Sequence, residues 1–271
     1  MKKNNRYYII LAILLIYFVL IFFVFILPNI LKKDTKTYLL IDSDAKWQYI
    51  NGKWSDIEDS KVYNWQKFAI YENSGFKGNY YPLYNEKWHF YDNDENPIKI
   101  DKYHFLGIKS NKKYQVATFN TEDISETDQK YIKEVLNKYK LSSTNFTNAK
   151  VIKYDLDGDE QEEKIYSISN VFVEEFTEKI FNFIFVVKDD KITIVSKSID
   201  KYSNMLDNCQ DMVSKIVDVD NDGNYELITS CYKYNINAPC TDGCADFGSI
   251  DACVEMYQKD KNGYKRIKKC N

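Results

Sequence analysis

Histidine and arginine are nearly absent from this 271-residue chain: His89 and His104, Arg6 and Arg266 are the only ones. Each histidine sits inside an aromatic run, where it reads as a strand residue rather than a base or a metal ligand. The sequence also lacks G-x-S-x-G, H-E-x-x-H and a glycine-rich phosphate loop, so serine-elbow hydrolases, zinc peptidases and P-loop enzymes are not indicated. A carboxylate-pair hydrolase stays open as an alternative, because its two acids need not be close in sequence. Cysteine is missing from the first 208 residues, and all six (Cys209, Cys231, Cys240, Cys244, Cys253 and Cys270) fall in the remainder. Positive charge is in slight deficit, 37 basic against 40 acidic residues. Without Lys2, Lys3 and Arg6 the balance is about −6, which argues against nucleic acid or anionic lipid headgroups as partners. Scarce arginine alongside abundant Lys, Asn, Ile and Tyr is the bias of an AT-rich coding genome, from which we infer a low-GC bacterium.

A further absence is informative. Residues Tyr7 to Leu27 carry no charge, and as a helix they would extend about 31 Å, close to the ~30 Å thickness of a bilayer's hydrocarbon. No A-x-A-like cleavage site and no lipid-accepting cysteine follow, so the segment is expected to remain as an anchor at residues 1–33. Lys2, Lys3 and Arg6 on one side and Lys32, Lys33 and Lys36 on the other leave a small positive-inside bias. The clustered, even-numbered cysteines decide the orientation, since disulfides persist outside a reducing cytosol. The expectation is a single-pass protein with a cytoplasmic N-terminus and its bulk outside the cell membrane.

The remaining chain reads as mainly β with one connecting helix. From residue 34 to 120, short aromatic and β-branched runs alternate with turn chemistry, which predicts a β-meander. Asn51-Gly52 between Trp47–Ile50 and Lys53-Trp54 is its strongest hairpin signal, and Tyr114 to Phe119 reads as its last strand. Within 121–149, Ser125 and Asp128 form a capping box, and Tyr131, Ile132, Val135, Leu136 and Tyr139 form an apolar stripe, predicting a helix over Ser125 to Tyr139. Strand signals return over 150–271. Phe181 to Val187 is nearly continuous in apolar residues and should be central, with Lys188-Asp189-Asp190-Lys191 as its hairpin turn.

Two stretches of this last region match. "YDLDGDEQEEKI" carries Asp155, Asp157, Asp159 and Glu163 at relative positions 1, 3, 5 and 9, and "VDVDNDGNYELI" carries Asp218, Asp220, Asp222 and Glu226 at the same positions, 63 residues later. Each lies between two β-like runs, so the unit repeated is strand, loop, strand. Three or four carboxylates this close repel one another unless a cation intervenes, and calcium takes six to eight oxygens in mixed geometry. A solvated acidic turn is the competing explanation, since Asp and Asn favour turns in any case. An EF-hand is excluded, because position 12 is Tyr166 in one loop and Thr229 in the other and the flanks are strands.

The two loops resemble the D-x-D-x-D-G-x-x-[DE] calcium loops of FG-GAP and VCBS repeats, the units of integrin-type propeller blades, over residues 150–258. The resemblance implies side-chain ligands at the eight acids named, with Gln161 and Asn224 donating carbonyl oxygens. The FG and GAP signatures are absent, and the chain holds too few units for a closed propeller, so a β-sandwich or blade-like repeats are expected. A further acidic stretch, Asp92, Asp94 and Asn96, has Ile100 at position 9 and reads as a hairpin turn in preference to a degenerate copy of the site.

Between Tyr232 and Val254 the sequence reads as a cysteine-rich loop held by disulfides; six cysteines allow fifteen pairings that the sequence does not separate, among them one that ties Cys270 at the C-terminus back to Cys209. Zinc at Cys240-x-x-x-Cys244 is a poorer fit to an oxidising compartment. The functional expectation is a non-catalytic, calcium-binding structural or interaction protein of the cell surface. A carbohydrate or cell-wall binding module, using the Tyr and Trp of residues 38 to 120 as stacking platforms, is the first alternative; the same aromatics also simply favour strands.

Overall fold

In the computed structural model, residues 17, 36–42, 45–50, 52–57, 66–85, 87–101, 105–141, 149–169, 179–201, 210–235 and 249–269 are described. The predicted membrane segment, apart from Tyr17, lies outside them, as do Cys209, Cys240, Cys244 and Cys270. No helix among the described residues is long and apolar enough to cross a membrane.

The described chain is mainly β, in three antiparallel sheets with one helix. The first sheet contains β1 (Lys36–Ile41), β2 (Ala45–Ile50), β3 (Lys53–Asp56), β4 (Phe68–Glu72), β5 (Gly75–Asn85), β6 (Lys87–Tyr91), β7 (Pro97–Ile98) and β8 (Leu106–Ser110). The hairpin expected at Asn51-Gly52 is present: Ile50 pairs with Lys53 and Gly52 takes φ +82°. The order β3-β2-β1-β8-β4-β5-β6-β7 departs from the predicted meander, because β8 inserts between β1 and β4. Gly107 shows how. It pairs with Leu40 on one side and Ile70 on the other, and a Cβ there would lie 3.3 Å from the Leu40 Cβ and 3.1 Å from the Ile70 Cδ1. Glycine thus lets two large side chains close over a strand that sequence order alone would not put between them.

Tyr114 to Phe119 is not a strand of this sheet. Only β9 (Gln115–Val116) is extended, and it pairs with β15 of another sheet, crossing the expected domain boundary near residue 121. After β10 (Glu122–Asp123) comes α1 (Gln129–Lys138), shorter than predicted. The capping-box bonds do form, Asp128 N–H to Ser125 Oγ at 3.3 Å and Ser125 N–H to Asp128 Oδ2 at 3.2 Å, but they close a turn ahead of the helix.

The next two sheets share one topology. β11 (Lys150–Tyr154), β12 (Glu163–Ser169), β13 (Lys179–Lys188) and β14 (Lys191–Lys201) form a four-stranded meander, with β10 added beside β11. β15 (Gln210–Asp218), β16 (Glu226–Asn235), β17 (Ser249–Asp260) and β18 (Gly263–Lys268) form another, with β9 added beside β15. The 63-residue repeat is therefore a repeat of a whole sheet, with its acidic loop between the first and second strands. β17 and β18 correct the sequence reading: residues expected in a cysteine-rich loop belong to the strand from Ser249, and β18 carried no apolar run to announce it.

Side-chain alternation stacks these sheets. In β13, Phe181, Phe183, Phe185 and Val187 face α1, while Ile184 and Val186 face the second meander. β13 is interior to its sheet, as its apolar run predicted, and Lys188↔Lys191 closes the expected turn with Asp189 and Asp190 both at positive φ. In the second meander, Ile216 and Leu227 face the first, while their neighbours Val217 and Ile228 face Leu39, Ile41 and Trp47 of the eight-stranded sheet. The second meander is the middle layer, buried on both faces.

Candidate metal centre

The ladder geometry builds each acidic loop. Val217 pairs with Glu226, so the last acid of the loop returns beside the strand that carries the first. Between them Asn221 and Gly223 adopt φ +58° and +86°, which curls the backbone inward. Asp218 then accepts the N–H groups of Asp222 at 3.2 Å and Gly223 at 3.0 Å, and Asp222 Oδ1 accepts that of Asn224 at 2.8 Å. Glu226, at 0% exposure, accepts the Val219 N–H through Oε2 at 3.2 Å.

The 155 loop repeats this design. Tyr154 pairs with Glu163, and Gly158 and Glu160 supply the left-handed positions at φ +72° and +67°. Glutamate thus adopts, with some strain, the conformation that Gly223 adopts freely in the other loop. Asp155 accepts from Gly158, Asp159 and Glu160 at 2.7, 3.2 and 2.9 Å, Gln161 N–H reaches Asp159 Oδ1 at 3.0 Å, and Leu156 N–H reaches Glu163 Oε2 at 2.7 Å. The loops touch, since Tyr225 N–H donates to the Leu156 carbonyl at 3.1 Å.

Each set of three aspartates, Asp155, Asp157 and Asp159 or Asp218, Asp220 and Asp222, brings ligand oxygens within 4.8 Å of one another, so each cluster could hold a metal ion. Their charge balance differs. In the 155 loop Lys188 Nζ lies 2.8 and 2.9 Å from the two oxygens of Asp157, 2.6 Å from Asp159 Oδ2 and, as an ion pair, 2.8 Å from Glu163 Oε1. Lys259, from the other meander, adds a contact to Asp157 at 2.9 Å. The Lys188 bonds hold Asp157 and Asp159 below the usual carboxylate range and push the Lys188 ammonium up.

In the 218 loop, among the described residues, no ammonium or guanidinium lies within ion-pair distance of a carboxylate. Asp220 Oδ1 and Glu226 Oε1 are buried with no hydrogen-bond partner. Burial, then the charges of Asp220, Asp222 and Asp218, push the Glu226 carboxyl up to about 8, and burial followed by Asp222 and Asp218 raises Asp220 against the opposing charge of Lys112, which makes no ion pair with it. A buried carboxylate without a partner is costly, and a cation at the aspartate cluster would give Asp220 Oδ1 a partner and offset the charges that raise Glu226.

The sequence reading missed Lys188, Lys259 and Tyr49. Tyr49, on β2, is close enough that Asp220, Glu226 and Asp222 add to burial in raising its hydroxyl, so the 218 loop abuts the eight-stranded sheet. The signal for Lys188 was its place one residue past the Phe181–Val187 run. The Asp92 stretch is a turn: its carboxylate accepts Asp94 N–H and Asn96 N–H, both at 2.9 Å, and the Asn96 side-chain amide. Of the tryptophans in the region weighed as an alternative stacking platform, Trp47 and Trp88 are core residues, Trp54 is half-buried and Trp65 is outside the described residues. His89 is half-buried on β6, and His104 is outside the described residues. Cys253 is disulfide-bonded, and Cys231 lies opposite it in the β16–β17 ladder.

A cavity of about 350 Å³ opens between the Glu72-Asn73 turn and β15, where buried Lys215 donates to Asn73 Oδ1 at 2.7 Å. Burial lowers that ammonium. No protein family, curated protein or solved structure matches this chain.

Proposed function

We propose that this is a membrane-anchored, extracytoplasmic protein with a structural or interaction role, whose stacked blade-like β-meanders are stabilised by calcium in the Asp218–Glu226 loop. The observation that carries the calcium reading is the pair of buried oxygens with neither a hydrogen bond nor an ion pair, Asp220 Oδ1 within the Asp218, Asp220 and Asp222 cluster and Glu226 Oε1 at the end of the same loop. The donors are all oxygen, which suits a hard cation, and an irregular loop suits calcium better than the strict octahedron of magnesium. The anchor rests on the uncharged Tyr7–Leu27 segment, and the disulfide at Cys253 supports an oxidising compartment.

A calcium site of extracellular strength, with a dissociation constant of about 10⁻⁴ to 10⁻³ M, contributes about 0.5 to 1.5 kcal/mol at millimolar calcium. That magnitude describes a staple. Calorimetry on the full chain should show calcium binding, and millimolar calcium should raise Tm by about 1–5 °C over chelator. Glu226→Gln, which keeps the shape and removes the charge, should abolish both effects. Absence of binding heat together with an unchanged Tm would remove the calcium reading.

A further inference from the structure

Building on that calcium reading, we propose that the Lys188 ammonium is the resident cation of the 155 loop, so that the chain takes a single divalent ion, in the 218 loop. The two loops match in position, backbone and carboxylates, yet only one is internally neutralised. Lys188 contacts the carboxylates at positions 3, 5 and 9, Asp157, Asp159 and Glu163. The same three positions in the other loop are Asp220, Asp222 and Glu226. Glu163 Oε1 and Glu226 Oε1 are both buried without a hydrogen bond, but Glu163 Oε1 has the Lys188 ion pair, whereas Glu226 Oε1 and Asp220 Oδ1 have none. The Lys188 hydrogen bonds go to both oxygens of Asp157 and to Asp159 Oδ2, and its charge lies 2.8 Å from Glu163 Oε1, so one ammonium serves all three carboxylates. Lys259, 2.9 Å from Asp157 Oδ2, brings the local compensation to two positive charges, equal to that of a divalent ion.

Strand register identifies the residue responsible. Lys164 pairs with Val187 and Leu227 with Tyr257, so one step along each ladder Glu163 faces Lys188 and Glu226 faces Gln258. At this position lysine in one meander and glutamine in the other distinguish a loop that carries its own ammonium, with Lys259 added beside it, from one that needs an external cation. To enter the 155 loop a divalent ion must displace Lys188 from three carboxylates and leave its ammonium beside a doubly charged ion. The repulsion opposes binding there whatever the loop geometry.

The test exchanges that position in the full chain and counts ions by calorimetric titration with calcium chloride. We expect one calcium per chain in the unaltered protein, two in Lys188→Gln, and at least tenfold weaker binding at the 218 loop in Gln258→Lys, with circular dichroism unchanged. Gln258→Lys keeps the proposal falsifiable even where Lys188→Gln fails to fold, because it adds a charge partner rather than removing one. Two calcium ions bound by the unaltered chain would overturn this inference and leave the calcium reading standing, as would unaltered affinity in Gln258→Lys. No calcium bound by either the unaltered chain or Lys188→Gln would remove both.

Discussion

The two meanders have the same strand order and the same acidic loop, but they are held in different ways. The first is covered by α1 on one face and closes its loop with lysines. The second is the middle layer, covered by sheets on both faces, carries the disulfide at Cys253 and leaves its loop carboxylates unpaired. A repeated backbone does not imply a repeated charge balance. The loop's backbone bonds depend on its own residues, but its neutralisation depends on side chains delivered from neighbouring strands.

This contrast can be broken from either side. The largest expected effect comes from reduction, which acts on the second meander alone because the first contains no cysteine. Loss of a native disulfide costs about 2–5 kcal/mol, so reductant should lower Tm by roughly 5–15 °C. Hydrogen exchange should place the loosened amides in β16 and β17 while β12 and β13 keep their protection; equal loosening of both meanders would break the contrast.

The first meander is sensitive to acid instead. Asp128 anchors α1 to it, accepting from Lys164 Nζ at 2.8 Å and from the Tyr166 hydroxyl at 2.7 Å. Burial alone would raise this carboxyl, but the bonds from Lys164, Ser125 and Tyr166 outweigh it and hold it well below the usual range. Because its folded pKa lies below its unfolded value of about 3.9, its stabilisation is complete above that value and is lost as pH falls through the folded pKa. Asp128→Asn should therefore destabilise by about 2 kcal/mol at neutral pH and by less as pH falls below 4, read from urea unfolding at each pH. A constant penalty from pH 7 to pH 2 would show that the ion pair is not the source.

The smallest effect is expected at the third acidic stretch. Asp92→Asn keeps an acceptor for the Asp94 and Asn96 N–H groups of its exposed turn, so Tm should move by about 1 °C or less and calcium stoichiometry not at all. A lost calcium ion in this variant would make that turn a calcium site.

The sequence by itself determined what depends on local pattern. Alternation and apolar runs marked most strands, including the interior position of β13; Asn51-Gly52 and Asp189-Asp190 marked their hairpins; and the Ser125/Asp128 box placed the start of the helical region. It also displayed the two acidic loops, because positions 1, 3, 5 and 9 lie within one short segment. What it did not show depends on pairing between distant segments. The insertion of β8 rests on Gly107 fitting between Leu40 and Ile70, and the capture of β9 and β10 by different meanders rests on two-residue ladders too short to leave a pattern. The difference between the loops was equally hidden. Lys188 reaches Glu163 and Gln258 faces Glu226 only because of the register of a neighbouring strand, 25 and 32 residues further along the chain. Charge acts through space, so which carboxylates are neutralised is decided by tertiary structure even where the residues that carry them can be read directly from the sequence.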